Sequence, residues 1–273
     1  MKVDTSYWDN LRGVIRTRKG GWIIGEGVYS HGYSILKELV GKVSYFQMMI
    51  LNITGKLPEK RLADWVEASF ICMSWPDPRL WCNQIGALSG TLLTSPAAAI
   101  CSGILASDSR MYGPGTLPAA TRFIKSAMTK KQAGLSIREI IEQQKIRPNG
   151  KPIIPGFGRP LAYGDERVAA MEQVTHDLEF HQGEYLELAY EIQDVLYNNY
   201  NETLNLGGYL SAFLRDNDFT GDQIYQLTVT AVNSGVAACY SETYKNIPES
   251  FLPLRCDDIE YQGKPPRKVP EKI

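Results

Sequence analysis

The chain has little of what marks several common protein classes. Its three histidines (His31, His176 and His181) form no HExxH, and its five cysteines (Cys72, Cys82, Cys101, Cys239 and Cys256) are scattered without a CxxC pair. Neither a metal site nor a disulfide framework is expected from such spacing. The cysteines read instead as small buried hydrophobes in a reducing compartment. An excess of one charge sign is also missing, with 29 Lys+Arg against 30 Asp+Glu, so no electrostatic footprint for nucleic acid exists. The most apolar stretch, Ile85–Ala106, is broken by Gly86, Gly90, Pro96 and Gly103. It falls short of the ~20 uninterrupted apolar residues of a membrane span. The opening MKVDTSYWDNLRG lacks the apolar core of a signal peptide. A cytoplasmic protein with neither nucleic-acid nor membrane partners is the expectation, and no repeat or low-complexity run complicates it. At 273 residues the chain fills one large or two modest domains.

What is there is mostly helical. Residues 4–31 hold two β-capable pieces around Gly20-Gly21, which fit a small hairpin turning at those glycines. Ser34 caps a short helix stopped by Gly41, and Tyr45–Ile53 makes a second helix ended by Gly55. Pro58 sits in the first turn of a third helix running to about Met73. After the break SWPDPR come two buried helices, about Leu80–Ser89 and Pro96–Ala106, the latter with Ser95 as cap and Pro96 at its first position. Further helices run from Pro118 to Gln132, from a Ser136/Glu139 capping box to about Arg147, over Glu166–Leu178, Glu184–Tyr200 and Leu206–Leu214, and as one long helix from Thr220 to Tyr244. The proline-rich tail from Pro248 is expected to lie extended over a surface. The fold class is all-α.

One stretch has no helical or strand period: KPIIPGFGRPLAYGDER, Lys151–Arg167. Pro152, Pro155 and Pro160 block helix propagation. Gly156 and Gly158 allow positive φ and a close backbone approach. Arg159, Asp165, Glu166 and Arg167 then concentrate charge at a new helix start. On the residues alone this is either an ordinary helix connection or a ligand-approach loop, and the charges a salt-bridge cluster, an anion grip or both.

The order of such segments resembles the citrate synthase superfamily, and within it the short citryl-CoA lyase branch that includes the C-terminal module of ATP-citrate lyase. His31–Pro58 is similar to that family's "RGY-x-L…L-x-G…SF…LL-x-G-x-LP" stretch, and SWPDPRLWCN takes the place of its first histidine-bearing loop. MYGPGTLPAATRF stands where the family has "GP-LHGGA-x-EA", and IIPGFGRPLAYGDER where it has "PGFGH-x-x-Y…DPR". LNLGGYLSAFL corresponds to "NVD-x-x-x-A-x-L", and CDDIEYQGKPPR to the "DI-x-Y-x-GP-x-PR" tail. The matches keep order over about residues 30–270.

The resemblance implies a large helical domain (residues 1–120 and 205–273) with a smaller one inserted (121–204), and a homodimer with its active site in the interdomain cleft. The family removes a proton from a thioester α-carbon, or reverses that step, with a carboxylate base and two histidines that polarise the reacting carbonyls. In this sequence those positions align with Thr116, Arg159 and Gly207, so the standard chemistry is not expected. The CoA-presenting loop is retained as Ile154, Pro155, Gly156, Phe157 and Gly158, with coenzyme A the implied co-substrate. Arg167 aligns with an arginine that grips a substrate carboxylate, a task suited to a guanidinium fork, and Arg267 with a tail arginine reaching toward a partner subunit. Trp75 and Tyr112 are candidate pocket walls. Arg159, Thr116 and Asp165 are the candidate catalytic groups, with Glu166 or a tyrosine as other replacement bases. Two functions stay open: an enzyme acting on an acyl-CoA or polycarboxylate-like acid with altered chemistry, or an inactive scaffold that forms a heterodimer with an active relative.

Overall fold

The computed structural model describes residues 4–159 and 164–269. Pro160, and the tail beyond residue 269, lie outside them. Helices dominate: α1 Ser6–Asp9, α2 Tyr45–Thr54, α3 Lys60–Met73, α4 Trp81–Thr91, α5 Pro96–Ser107, α6 Leu117–Gln132, α7 Ile137–Glu142, α8 Glu166–Asp177, α9 Glu184–Tyr200, α10 Leu206–Asp216, α11 Gly221–Thr228 and α12 Asn233–Tyr244. The strands described are β1 Gly20–Ile23, β2 Gly27–Ser30 and β3 Tyr33–Ser34, an antiparallel sheet in that order. The all-α expectation holds.

Several helix starts follow from local chemistry. Ser44, Ser136 and Thr220 each form a full capping box with the Gln or Glu three residues on, satisfying donors the first turn leaves orphaned. Ser95 caps α5 ahead of Pro96. Four boundaries differ from the sequence expectation. The hairpin reverses at 24–26, not at Gly20-Gly21, because Gly20 and Gly21 already pair with Ser30 and Tyr29. α3 begins after Pro58, whose carbonyl accepts a hydrogen bond from Gln47 Nε2 (3.1 Å). α7 ends at Glu142, and beyond it the chain turns back, the Ile153 amide donating to the Lys145 carbonyl (2.7 Å) and Ile146 bridging Pro152. The long C-terminal helix is two helices, α11 and α12. The first packs on α6 and the second on α4 and α5, so the chain must bend between layers, and Ser74 Oγ donates to the freed Ala231 carbonyl (3.2 Å).

The main core joins α2, α3 and α6–α11 around Trp65, which is fully buried, stacks on Phe213 (centroids 3.8 Å apart) and donates from Nε1 to Thr175 Oγ1 (2.8 Å). It runs through residues on both sides of positions 121 and 204. A second layer packs α4 and α5 against α12. There a Cβ on Gly86 would come within 2.6 Å of the Val236 carbonyl, so the helices touch through backbone. The tail was expected to lie over a surface. Its start is tied to α4, where the Glu249 amide donates to the Thr91 carbonyl (2.9 Å), but the tail residues beyond Phe251 whose exposure is described are all exposed. Its large apolar side chains, Leu252, Leu254, Ile259 and Tyr261, are among those exposed residues.

Candidate active site at the glycine loop

The loop Ile154–Gly158 is anchored by two buried side chains, Ile154 and Phe157, the latter edge-on to Phe123 (6.2 Å). Its backbone is stitched to the segment leading into α10. Gly158 N–H donates to the Thr203 carbonyl (2.8 Å), Asn205 N–H to the Gly156 carbonyl (3.0 Å), and Asn205 Nδ2 to the Gly158 carbonyl (2.9 Å). Asn205 also caps α10 by accepting from Gly208 N–H (3.1 Å). The need for glycine is now visible. Gly156 has φ +93° and a Cβ there would stand 2.8 Å from Gly208 Cα, while one on Gly158 (φ +73°) would meet the Glu202 carboxylate at 3.2 Å. Both missing side chains point inward, so the glycines serve the loop–helix approach, leaving Pro155 and Gly156 part-exposed at the surface.

Seven residues downstream of Gly158, Asp165 organises the charges. Its side chain is completely buried. Oδ1 accepts from Arg167 Nε (2.8 Å), Arg167 N–H (3.2 Å) and Arg159 Nη1 (3.5 Å). Oδ2 accepts from Arg167 Nη2 (2.7 Å) and from Leu206 N–H (2.9 Å), the first residue of α10. One carboxylate thus caps α8, forks with Arg167 and ties down α10. Burial works to raise its pKa, but the Arg167 hydrogen bonds and charge, the Leu206 amide and Arg159 together hold it below the ordinary aspartate value. Arg159 donates its stronger bond to Glu166 Oε2 (2.6 Å), an exposed carboxylate. The salt-bridge reading of this cluster is the one the coordinates display. The Arg167 fork, which the resemblance implies for a substrate carboxylate, donates here to Asp165.

The other sequence candidates divide. Thr116 stands beside α10: a Cβ on Gly207 would lie 3.8 Å from Thr116 Oγ1, so these two candidate positions are neighbours, and the hydroxyl itself donates to the Gly113 carbonyl (2.8 Å). Tyr112 pairs with Cys82 (O to Sγ 3.2 Å) and packs edge-on to Trp81. Its phenol is pushed well above the ordinary tyrosine value, first by burial and then by Cys82, while the Arg167 charge opposes the shift. Trp75 is part-exposed and engages through backbone, its carbonyl accepting from Asn83 Nδ2 (3.0 Å). Arg267 lies in the exposed tail, lining a hollow of about 470 Å³ made by the tail's own Tyr261, Lys264 and prolines, and makes no contact with the cluster among the described residues. His176 and His181 are exposed and His31 belongs to the β-sheet corner. The described residues contain no group of His, Cys, Asp and Glu placed to hold a metal, and no described helix is long and apolar enough to cross a membrane.

Sequence reasoning missed three groups. Asn205 binds loop and helix together, and its place just ahead of a helix start was a usable cap signal. Cys72, at the end of α3, carries a thiol raised first by burial, with Arg167 lowering and Asp165 raising it. Glu202 is a buried carboxylate paired with Arg147 (3.1 Å) and Lys151 (3.8 Å), and nothing in its local sequence marked it.

Comparison with solved structures bears on this arrangement. The chain superposes on citryl-CoA lyase from Hydrogenobacter thermophilus with a TM-score of 0.79, at 24% identity, covering 94% of this chain and 98% of that one. The fold is citrate synthase-like. An ATP citrate lyase from Methanothrix soehngenii, solved with citrate and coenzyme A, matches at TM-score 0.76 and 17% identity over 97% of this chain. The match spans just 45% of that longer protein. Citrate synthase from Thermotoga maritima follows at TM-score 0.64 and 16% identity, covering 84% of this chain and 60% of that one. No protein-family profile and no curated protein matches the chain. The match to the citryl-CoA lyase structure is near full length on both sides.

Proposed function

We propose that this chain binds coenzyme A or an acyl-CoA against the Ile154–Gly158 loop and acts on that thioester, or on a polycarboxylate-like acid, in a C–C bond-forming, bond-cleaving or related step. The observation that carries the reading is the loop itself, held by Asn205 and by the Gly156–Gly208 approach in a fold whose solved relatives include proteins crystallised with coenzyme A and with citryl-CoA. Pro155 and Gly156 are the loop's part-exposed backbone and would meet the carrier. The chemistry would differ from proton abstraction by histidines and an aspartate, because Thr116, Arg159 and Gly207 stand at the aligned positions. On this reading Asp165 is the organiser of the site, since its depressed pKa and saturated oxygens make it a weak base. Arg159, half-buried and shared with exposed Glu166, is the cation able to turn toward an anionic ligand or oxyanion. Thr116 and Tyr112 would supply neutral donors, Trp75 a pocket wall and Arg267 a contact made across to a second copy. A cytoplasmic homodimer, with residues 121–204 as the smaller domain, completes the proposal.

The capture of Arg167 by Asp165 favours a second reading, in which the chain is an inactive partner of an active relative. Incubating the purified protein with acyl-CoAs and oxo acids separates the two. Turnover abolished by Arg159→Ala supports the enzyme. Absence of turnover, with an active relative co-purifying from the native host, supports the scaffold.

A further inference from the structure

Between β1, β2 and the end of α2 lies a hollow of about 440 Å³ that shares no lining residue with the glycine loop or the Asp165 cluster. Its volume is in the range of small-molecule sites. Its walls are fixed by hydrogen bonds. Lys19 Nζ donates to the Asn52 and Ile53 carbonyls (2.9 and 3.3 Å) at the end of α2, and the His31 amide donates to the Lys19 carbonyl (2.6 Å). His31 has φ +48°, a left-handed conformation that few residues other than glycine adopt. Its ring lies against Gly55, where a Cβ would stand 3.4 Å from Nδ1.

The lining has a definite chemical character. Arg18 and Lys19 bring positive charge, Trp22, Tyr29 and His31 bring rings, and none of the described lining residues is acidic. Arg18 makes no ion pair among the described residues, which leaves its guanidinium fork for an anion. Lys19 spends two of its three N–H groups on the α2 carbonyls and keeps one. Trp22 is 70% exposed, so its ring is open to stacking. His31 Nε2 is buried without a hydrogen-bond partner, a state that is rare and costly in a folded protein. Gly21 and Gly32 also line the hollow, and a Cβ on either would meet nothing within 4 Å, so the wall is uncovered there.

We propose that this hollow binds a nucleoside phosphate. The phosphate sits on Arg18 and Lys19, the base stacks on Trp22, and His31 Nε2 gains its missing hydrogen bond from the ligand. A bare anion would leave the rings unused, and an uncharged ring would leave the two cations without a partner. The site is separate from the glycine loop and does not depend on the reading given for it.

Calorimetric titration of adenosine monophosphate into the full chain tests this, with adenosine and inorganic phosphate as its two halves. The nucleotide should bind at one site per chain, and each half about tenfold or more weakly than the whole. Arg18→Gln and Trp22→Ala should each lower the affinity for the nucleotide by about tenfold or more. Both side chains are exposed, and circular dichroism should show both variants folded. Gly208→Ala should leave the nucleotide affinity unchanged. No binding at millimolar nucleotide, inorganic phosphate binding as tightly as the nucleotide, an unchanged affinity in either variant, or an affinity lost in Gly208→Ala would overturn the proposal. Coenzyme A titration of wild type and Gly208→Ala reports the functional reading separately, so either can fail alone.

Discussion

Replacing Asp165 by Asn keeps the shape of the side chain and removes its charge. The variant strands Arg167, whose guanidinium is 26% exposed and bound to both carboxylate oxygens. Removing one partner of a buried pair costs about 3–5 kcal/mol. Partial exposure of Arg167 and the nearby Glu166 charge reduce this to roughly 2–4 kcal/mol. At about 2.1 cal/mol/K per residue, a chain of 273 residues loses about 1.7 °C per kcal/mol, so Tm should fall by about 4–7 °C. The pH dependence has a definite sign. The folded-state pKa of Asp165 is lowered, so the unfolded chain binds the proton more readily. The stabilisation is therefore complete above the ordinary value of about 3.9 and fades as pH falls below it through the lowered value. Scanning calorimetry of wild type and Asp165→Asn at neutral pH, then in steps into acid, should show a gap that closes at low pH. A neutral-pH gap under about 1 °C, or one that persists in acid, would refute the organising role given to Asp165.

Asp216 should behave in the opposite sense. Burial raises its pKa although it accepts the Tyr185 and Leu186 amides at the start of α9. Its contribution is present at low pH and declines as pH rises from about 3.9 through the raised value, and urea denaturation of Asp216→Asn should lack that slope. Gly208→Ala drives a methyl group into the Gly156 carbonyl, and should cost about 1–3 kcal/mol and weaken coenzyme A binding in the same calorimetric titrations. Gly207→Asp should fold with Tm lowered by a few degrees at most, since its Cβ lies 3.3 Å from Asn205 Oδ1, which must give by a few tenths of an ångström, and 3.8 Å from Thr116 Oγ1. A gross loss of structure there would contradict the placement of the two positions.

Much of the fold was legible because it is written in local chemistry. The Ser136 and Thr220 boxes, the Ser95-Pro96 start and the helix start after Asp165 each need only a few neighbouring residues to be recognised. What depended on tertiary partners was not. The bend between α11 and α12 exists because the two helices serve different layers. The inward direction of Gly156 and Gly158 depends on Gly208 and Glu202, about fifty residues away in sequence. The loop and its charge cluster were visible as a set, but the commitment of Arg167 to Asp165 was one of two arrangements the residues allowed. The tail's composition announced an extended chain and was silent on what it covers.

The central claim is that the glycine loop still receives a thioester carrier although, on the proposed reading, Thr116, Arg159 and Gly207 stand where the resembled family carries its two histidines and its aspartate. Calorimetric titration of coenzyme A into the purified protein tests it most directly. Binding at one site per chain, with thermal stabilisation of about 2.7 kcal/mol at a hundredfold excess over Kd and loss of affinity in Gly208→Ala, is the predicted result. No heat of binding and no stabilisation at millimolar coenzyme A would contradict it.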